Sequence, residues 1–164
     1  MSMQIAIDPL DGPEVAALLR AHLDEMHGIS PPDSVHALDL QRLRAPDITF
    51  WSAWEDGVLL GCAALRELDP GHGEVKSMRT VPQARRRGVA AALLELLVAE
   101  ALRRGYRRLS LETGSQPEFA PARALYARFG FGECGPFADY RADPCSTFMT
   151  RALDGAQTRD EATR

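Results

Sequence analysis

The feature that most constrains the fold is a long amphipathic helix between two strand-like segments. The helix is expected to begin near Arg86 and to end at Gly105, and its apolar stripe consists of Ala90, Leu93, Leu94, Leu97 and Ala101. The stretches 74–81 and 106–112 on either side are rich in strand formers. A connecting helix allows two strands to run parallel in one sheet. The sequence therefore predicts a strand–helix–strand crossover with a parallel central pair.

The segments around this crossover predict further strands and helices. Asp56-Gly57 lies between the strand-like stretches 48–54 and 58–65, which is a strong signal for a hairpin. The other expected elements are a strand over 4–8, a helix from Pro13 to Gly28, a short helix around Leu38–Leu43, a helix from Pro121 to Phe129, and closing strands over 131–134 and 145–153. We expect a mixed α/β fold with about six or seven strands, mostly antiparallel, and about four flanking helices.

Length and composition limit the class of protein. The chain has 164 residues, 45% of them hydrophobic, so we expect a single domain over 3–153 and a disordered tail over 154–164. The net charge is −4, and the basic residues are interspersed among 23 acidic ones, which argues against a nucleic-acid partner. The absence of a long apolar run and of a secretory signal predicts a cytoplasmic protein without a membrane partner. The histidines and cysteines lack metal-ligand spacing, so no metal is expected.

The turn between the strand over 74–81 and the long helix has the properties of an anion site. The unpaired backbone N–H groups at a helix start point outward, and the helix dipole adds positive potential. Gly88 permits close approach of an anion to the backbone, Ala90 is small, and the three arginines 85–87 could add charge. Taken alone, the turn favours a helix start that carries a solvated basic first turn over an anion site.

The wider pattern resembles the GNAT acetyltransferases. Arg85-x-x-Gly88-x-Ala90 after a strand is similar to their (Q/R)-x-x-G-x-(G/A) signature. The segment 74–78 resembles their fourth strand, and 122–131 resembles their A-x-x-L-Y-x-x-x-G-F segment. The order of elements matches from about 5 to 153. The resemblance implies a splayed sheet that receives the pantetheine arm of acetyl-CoA between the strands over 74–81 and 106–112.

The same resemblance implies which residues contact acetyl-CoA. These are Met78, Arg79, Thr80, Arg85, Arg86, Arg87, Gly88, Val89, Ala90, Ala91 and Ala122. Main-chain groups of Met78 and Thr80 would bond the pantetheine, and the amides over 86–91 would hold the diphosphate. The chain departs from the family where Phe119 stands at a position that often carries asparagine. This departure removes one side-chain contact to the cofactor.

Two residues are implied to act in catalysis. Tyr126 matches the tyrosine that protonates the leaving thiolate of CoA, and the alternative is a tyrosine that only packs in the helix. Glu74 matches a position that carries a general base in some members of the family. Because Lys76 lies on the same strand face, Glu74 is alternatively a structural ion-pair partner. The backbone N–H near Met78 is the implied oxyanion donor.

The acceptor is expected to be the primary amine of a small molecule, such as an amino acid or an amine metabolite, attacked directly without a covalent enzyme intermediate. The pocket should come from the end of the first helix and its loop, around His22, Met26, His27, Ser30 and Ser34, and from the segment 137–141 with Tyr140. The arginines that could hold an acceptor carboxylate are Arg66, Arg79 and Arg141. Acetylation of a protein lysine or N-terminus and a non-catalytic acyl-CoA-binding module remain as alternatives. A homodimer is expected by analogy with the family.

Overall fold

A computed structural model describes residues 2–32, 35 and 39–153. Its strands are β1 (Gln4–Ile7), β2 (Ile48–Glu55), β3 (Val58–Asp69), β4 (His72–Thr80), β5 (Arg108–Gly114), β6 (Gly132–Cys134) and β7 (Ser146–Ala152). The α-helices of the described residues are α1 (Pro13–Ile29), α2 (Val89–Arg103) and α3 (Ala120–Arg128). The strands form one sheet in the order β1-β2-β3-β4-β5-β7-β6, with one parallel pair. The predicted mixed α/β fold with a mostly antiparallel sheet is therefore confirmed.

Two predicted helix boundaries change. Helix α2 begins at Val89 rather than near Arg86, because Arg86 and Gly88 have φ angles of 65° and 81°, which a right-handed helix cannot contain. The short helix predicted around Leu38–Leu43 lies partly outside the described residues. What is described there is a single 3₁₀ turn, Arg42–Arg44. The predicted tail over 154–164 also lies outside the described residues.

The chain divides into two compact units, of which the first comprises residues up to 66 together with 75–97. Helix α1, strands β2 and β3, the segment before α1 and the 3₁₀ turn contribute a buried cluster of Leu10, Val15, Leu18, Leu19, Leu43, Phe50, Leu59, Cys62 and Ala64. Strands β2 and β3 pair antiparallel, with Glu55 opposite Val58. The turn residues Asp56 and Gly57 have φ angles of 52° and 77°, as a tight two-residue hairpin requires. The predicted hairpin is confirmed.

The second unit comprises residues 67–74 and the chain from 98 onward. Strand β7 pairs antiparallel with both β5 and β6, with Leu111 opposite Met149 and Cys134 opposite Phe148. Helix α3 follows β5 through a 3₁₀ turn, Pro117–Phe119. The Phe119 ring lies against Gly114, where an added Cβ would come within 2.1 Å of the ring. Phe119, where the resemblance implied an asparagine, therefore packs against the end of β5.

Candidate active site

The loop before α2 is a backbone concavity suited to an anion. Arg86 and Gly88 both have positive φ angles, and alternating handedness along a short loop turns successive N–H groups toward one side. The first i→i−4 hydrogen bond of the helix runs from Ala92 N to Gly88 O, at 3.0 Å. The amides over 89–91 precede it and have no intrahelical acceptor. The amides over 89–91, which are among those predicted to hold a diphosphate, are thus donors without an intrahelical partner.

Gly88 is the residue on which this loop depends. Its φ of 81° is one that side chains rarely adopt, and a Cβ placed there would meet no atom within 4 Å. The space over the loop is thus open, and the backbone conformation, not crowding, requires glycine. Of the three arginines, Arg87 donates from Nη2 to Glu55 Oε1 at 2.7 Å. Arg85 and Arg86 are exposed and remain available to an anion.

Strand β4 has an irregular backbone at its centre. Ser77 has a φ of 54°, and its carbonyl oxygen accepts a hydrogen bond from Cys62 Sγ at 3.4 Å. A Cβ on Gly61 would lie 2.6 Å from Arg79 O, so β3 approaches β4 more closely than any other residue would allow. Val81 N donates to Leu60 O at 2.8 Å just beyond the strand. These contacts fix the backbone over 77–80, which contains the predicted pantetheine contacts.

Tyr126 lies in α3 and is 7% exposed. Its ring contacts Phe131 edge-on at a centroid distance of 6.1 Å. Burial, followed by the negative charge of Glu112, raises the pKa of the Tyr126 phenol to about 12. The phenol is therefore protonated at physiological pH and can act as a hydrogen-bond donor.

Glu74 lies at the start of β4 and is 1% exposed. The Tyr140 hydroxyl donates to Glu74 Oε2 at 2.5 Å, although the two residues are 66 positions apart. The Tyr140 ring is held against Phe137 and Phe148, at centroid distances of 5.0 and 5.4 Å. Lys76 is also buried, at 8% exposure. No pattern in the sequence indicates that Tyr140, predicted in the acceptor pocket, contacts the predicted base.

A second polar cluster lies in the first unit, on α1 and β4. Arg79 donates to both carboxylate oxygens of Glu25, from Nη1 at 2.7 Å and from Nη2 at 3.0 Å. Burial, together with the positive charge of Arg79, lowers the pKa of His22 to about 4. Three polar atoms of this cluster are buried without a hydrogen-bond partner, namely His22 Nδ1, Ser77 Oγ and Arg79 Nε. The sequence had placed His22 in the acceptor pocket and Arg79 beside acetyl-CoA, but not the two together.

The remaining predicted residues are less informative. His27 is exposed in the last turn of α1, and Ser34 lies outside the described residues. Ala122 is half-buried near the start of α3. An open cavity of about 460 Å³ is lined by Leu18, the hairpin turn at Gly57 and residues 81–83, and none of the predicted acceptor residues that the structure describes lines it.

Two absences apply to the part of the chain that the structure describes. No group of three or more His, Cys, Asp or Glu side chains there could hold a metal ion. Within the same residues, no helix combines the length and apolarity needed to cross a bilayer.

Comparison with known proteins identifies the family. Residues 15–131 match the acetyltransferase (GNAT) family. The chain belongs to this family. It is 57% identical to the uncharacterized N-acetyltransferase YsnE of Bacillus subtilis over 92% of the chain and 100% of that protein. It is 50% identical to the uncharacterized N-acetyltransferase YedL of Escherichia coli over 91% of the chain and 94% of that protein.

A third relative and two solved structures extend the comparison. IAA acetyltransferase of Azospirillum brasilense is 43% identical over 75% of this GNAT chain and 80% of its own. A Klebsiella pneumoniae structure described as an acyl-CoA N-acyltransferase has a TM-score of 0.74 at 30% identity, covering 93% and 98% of the two chains. The Thermoplasma acidophilum PaiA N-acetyltransferase, solved with coenzyme A, shares the fold with a TM-score of 0.70 at 15% identity, covering 93% and 99%. The predicted assignment as an N-acetyltransferase enzyme is confirmed.

Proposed function

We propose that this GNAT enzyme transfers an acetyl group from acetyl-CoA directly to the primary amine of a small molecule, such as an amino acid or an amine metabolite. The observation that carries the proposal is the loop before α2, where Arg86 and Gly88 have left-handed backbones and the amides over 89–91 lack intrahelical acceptors. The family uses acetyl-CoA, whose thioester supplies an activated acetyl group.

In this proposal, backbone groups hold the cofactor. The amides over 86–91 bind the diphosphate, with Arg85 and Arg86 adding charge, and main-chain groups of Met78 and Thr80 bond the pantetheine. Arg87 contributes less, because its guanidinium is already paired with Glu55. Since the donors are mainly backbone amides of a rigid helix start, they are oriented before the ligand arrives.

Glu74 is the proposed general base. An alkyl amine is neutral in only roughly 1 molecule in 10³ at pH 7, so a nearby carboxylate that accepts its proton increases the reactive fraction. The hydrogen bond from Tyr140 fixes the orientation of the Glu74 carboxylate. The alternative is that Glu74 serves only in a structural ion pair with Lys76.

Tyr126 is the proposed hydrogen-bond donor to the leaving sulfur. With a phenol pKa of about 12 and a thiol pKa near 8.5, complete proton transfer to the thiolate would be uphill by about 5 kcal/mol. The buried phenol therefore stabilises the departing thiolate mainly by donating a hydrogen bond, with the proton largely retained on oxygen.

The cofactor assignment is tested by Gly88→Glu, measured as acetyl-CoA affinity by calorimetry. The added side chain carries negative charge into the anion site, so binding should be lost. Gly57→Glu is the matched control, because Gly57 also has a positive φ and no atom within 4 Å of an added Cβ. Wild-type affinity in a folded Gly88→Glu protein would show that the diphosphate binds elsewhere.

The acceptor class is tested by measuring release of free CoA thiol with amino acids, simple amines and lysine-containing peptides. IAA belongs in the same panel because a relative of 43% identity is named for it. Turnover of peptides with none for any small molecule would favour protein acetylation. Homodimer formation is also proposed, and light scattering of the purified chain would measure it.

A further inference from the structure

Arg79 is an arginine with an unusual environment. Its side chain is 10% exposed, whereas the Glu25 side chain that it contacts is 42% exposed. Glu25 approaches the guanidinium end-on and uses one donor from each terminal nitrogen. A guanidinium has five donors, and the end-on pair leaves the Nε–H edge for another acceptor. Arg79 Nε is buried without a hydrogen-bond partner.

Two further polar atoms in the same unit share this condition. Ser77 Oγ and His22 Nδ1 are buried and have no hydrogen-bond partner. Ser77 precedes Arg79 by two residues on β4, and its carbonyl contacts Cys62, whose thiol feels the charge of Arg79. His22 also lies within the field of Arg79, which favours the neutral imidazole. The charge of Arg79 thus links His22 on α1 with the Cys62–Ser77 contact on β3 and β4.

These three atoms have a common chemical requirement. A buried polar atom left without a partner destabilises a fold, so we expect these three atoms to be satisfied by a group that the structure does not contain. Arg79 Nε–H, the Ser77 hydroxyl and a neutral imidazole N–H can all donate. Their natural common partner is an anion with two acceptor oxygens, namely a carboxylate.

We propose that Arg79, Ser77 and His22 bind the carboxylate of the acceptor, so that the substrate class is an amine bearing a carboxylate. This inference rests on the proposed function, because it names the substrate class of that same transfer. Glu25 holds the guanidinium by its far end. Glu25 is the exposed member of the pair, so solvent reaches the site from this side.

The experiment compares an amino acid with its own carboxamide as acceptors. The amino acid turned over fastest in the panel is used, and kcat/KM is measured for both compounds with wild type and variants. For each protein, kcat/KM with the amino acid is divided by kcat/KM with the carboxamide, and this ratio is compared between wild type and variants. The different basicities of the two amines then cancel. Wild type should prefer the carboxylate, and Arg79→Gln should reduce that preference by about ten- to a hundred-fold.

Ser77→Gly is the second variant, because it leaves the Arg79–Glu25 pair intact. Glycine accepts the φ of 54° at this position, so the variant removes the hydroxyl without adding backbone strain. It should reduce the preference by about three- to ten-fold, through KM. Arg103→Gln is the control, since it removes an arginine from an exposed pair with Glu100 and should leave the ratio unchanged. Acetyl-CoA affinity should stay constant in Ser77→Gly and Arg103→Gln.

The outcomes separate this inference from the proposed function. If small amines are acetylated but wild type does not prefer the carboxylate, or the variants lose both substrates equally, the carboxylate site is overturned and the transfer stands. If no small amine is acetylated, the proposed function fails. Calorimetry of the CoA-saturated protein with the same amino acids then tests the carboxylate site. Amino-acid binding that is lost in Arg79→Gln would support the site, and the absence of amino-acid binding to wild type would overturn it.

Discussion

At the scale of single residues, Tyr126 combines a buried side chain with a motif position typical of catalysis. Tyr126→Phe removes the donor and little else, so we expect kcat to fall by about ten- to a thousand-fold while acetyl-CoA affinity changes little. Tyr106→Phe is the matched control, because it also removes a buried tyrosine hydroxyl, but one that donates its hydrogen bond to Glu67 Oε1, at 2.6 Å. Wild-type kcat in Tyr126→Phe, with chemistry rate-limiting, would exclude a role at the sulfur.

His22 leads to a prediction about stability and pH. Its pKa is about 4 in the folded protein and 6.5 in the unfolded chain, so the unfolded chain binds more protons between these values. The free energy of unfolding should therefore decrease as the pH falls from 6.5 toward 4, by up to roughly 3 kcal/mol from this group. His22→Gln should have a shallower decrease than wild type in urea titrations.

The free energies of unfolding of wild type and His22→Gln should be compared between pH 6.5 and pH 4.5. Below this range, Glu25 begins to lose the stabilisation that comes from its lowered pKa. His72 also has a lowered pKa, but it is present in both proteins and cancels in the difference. Identical pH dependence in wild type and variant would mean that His22 titrates normally.

The local geometry of a residue was predictable where a short motif specifies it. Gly88 and Tyr126 each lie in a short pattern whose spacing fixes the backbone geometry, and the structure gives Gly88 the positive φ that only glycine readily adopts. The contact between Tyr140 and Glu74 was not predictable, because it joins positions 66 apart. The same holds for Arg79 and Glu25, which belong to different elements and meet only through folding.

At the scale of elements, the close approach of β3 to β4 depends on Gly61. A methyl group there would lie 2.6 Å from Arg79 O, which belongs to the backbone and cannot rotate away. Gly61→Ala should therefore lower the free energy of unfolding by about 1–3 kcal/mol in denaturant titrations. Gly28→Ala is the control: no atom lies within 4 Å of an added Cβ in α1, so stability should rise by about 0.5 kcal/mol. Equal effects would mean that β4 can shift freely.

Element types were predictable, but their ends were less so. The Asp56-Gly57 turn was correctly predicted because its two residues favour the backbone angles that the hairpin needs. The predicted start of α2 was wrong because Arg86 has a left-handed backbone, and an arginine in the sequence does not indicate that conformation. Helix α1 begins at Pro13, as predicted, and its N-cap Gly12 makes no side-chain hydrogen bond.

At the scale of the whole molecule, the sequence predicted the cofactor more firmly than the acceptor. The proposed cofactor contacts are mainly backbone groups, whose positions follow from the strand–loop–helix pattern. The proposed acceptor contacts are side chains of α1 and β4, and their environment depends on burial that no local pattern reveals. His22 illustrates this, because its neutral state follows from burial and from the charge of Arg79.

Ligand binding should be visible in the stability of the whole chain. Acetyl-CoA that binds only the folded state at 100 times its Kd contributes about 2.7 kcal/mol, which corresponds to a rise in Tm of roughly 5–10 °C for a chain of this size. Free CoA should give a similar rise, because the diphosphate is the proposed anchor. Each further tenfold increase in ligand should add about 1.4 kcal/mol.

Variants of Gly88 and Gly57, which both have a positive φ, make this thermal measurement specific. Gly88→Glu should lose the rise in Tm at every ligand concentration, whereas Gly57→Glu should keep it, even if both have a lower Tm without ligand. ADP tests the anchor itself, since it shares the diphosphate but lacks the pantetheine, and it should give a smaller rise that Gly88→Glu also loses. A rise in Tm with acetyl-CoA that persists in Gly88→Glu would place the cofactor away from the start of α2.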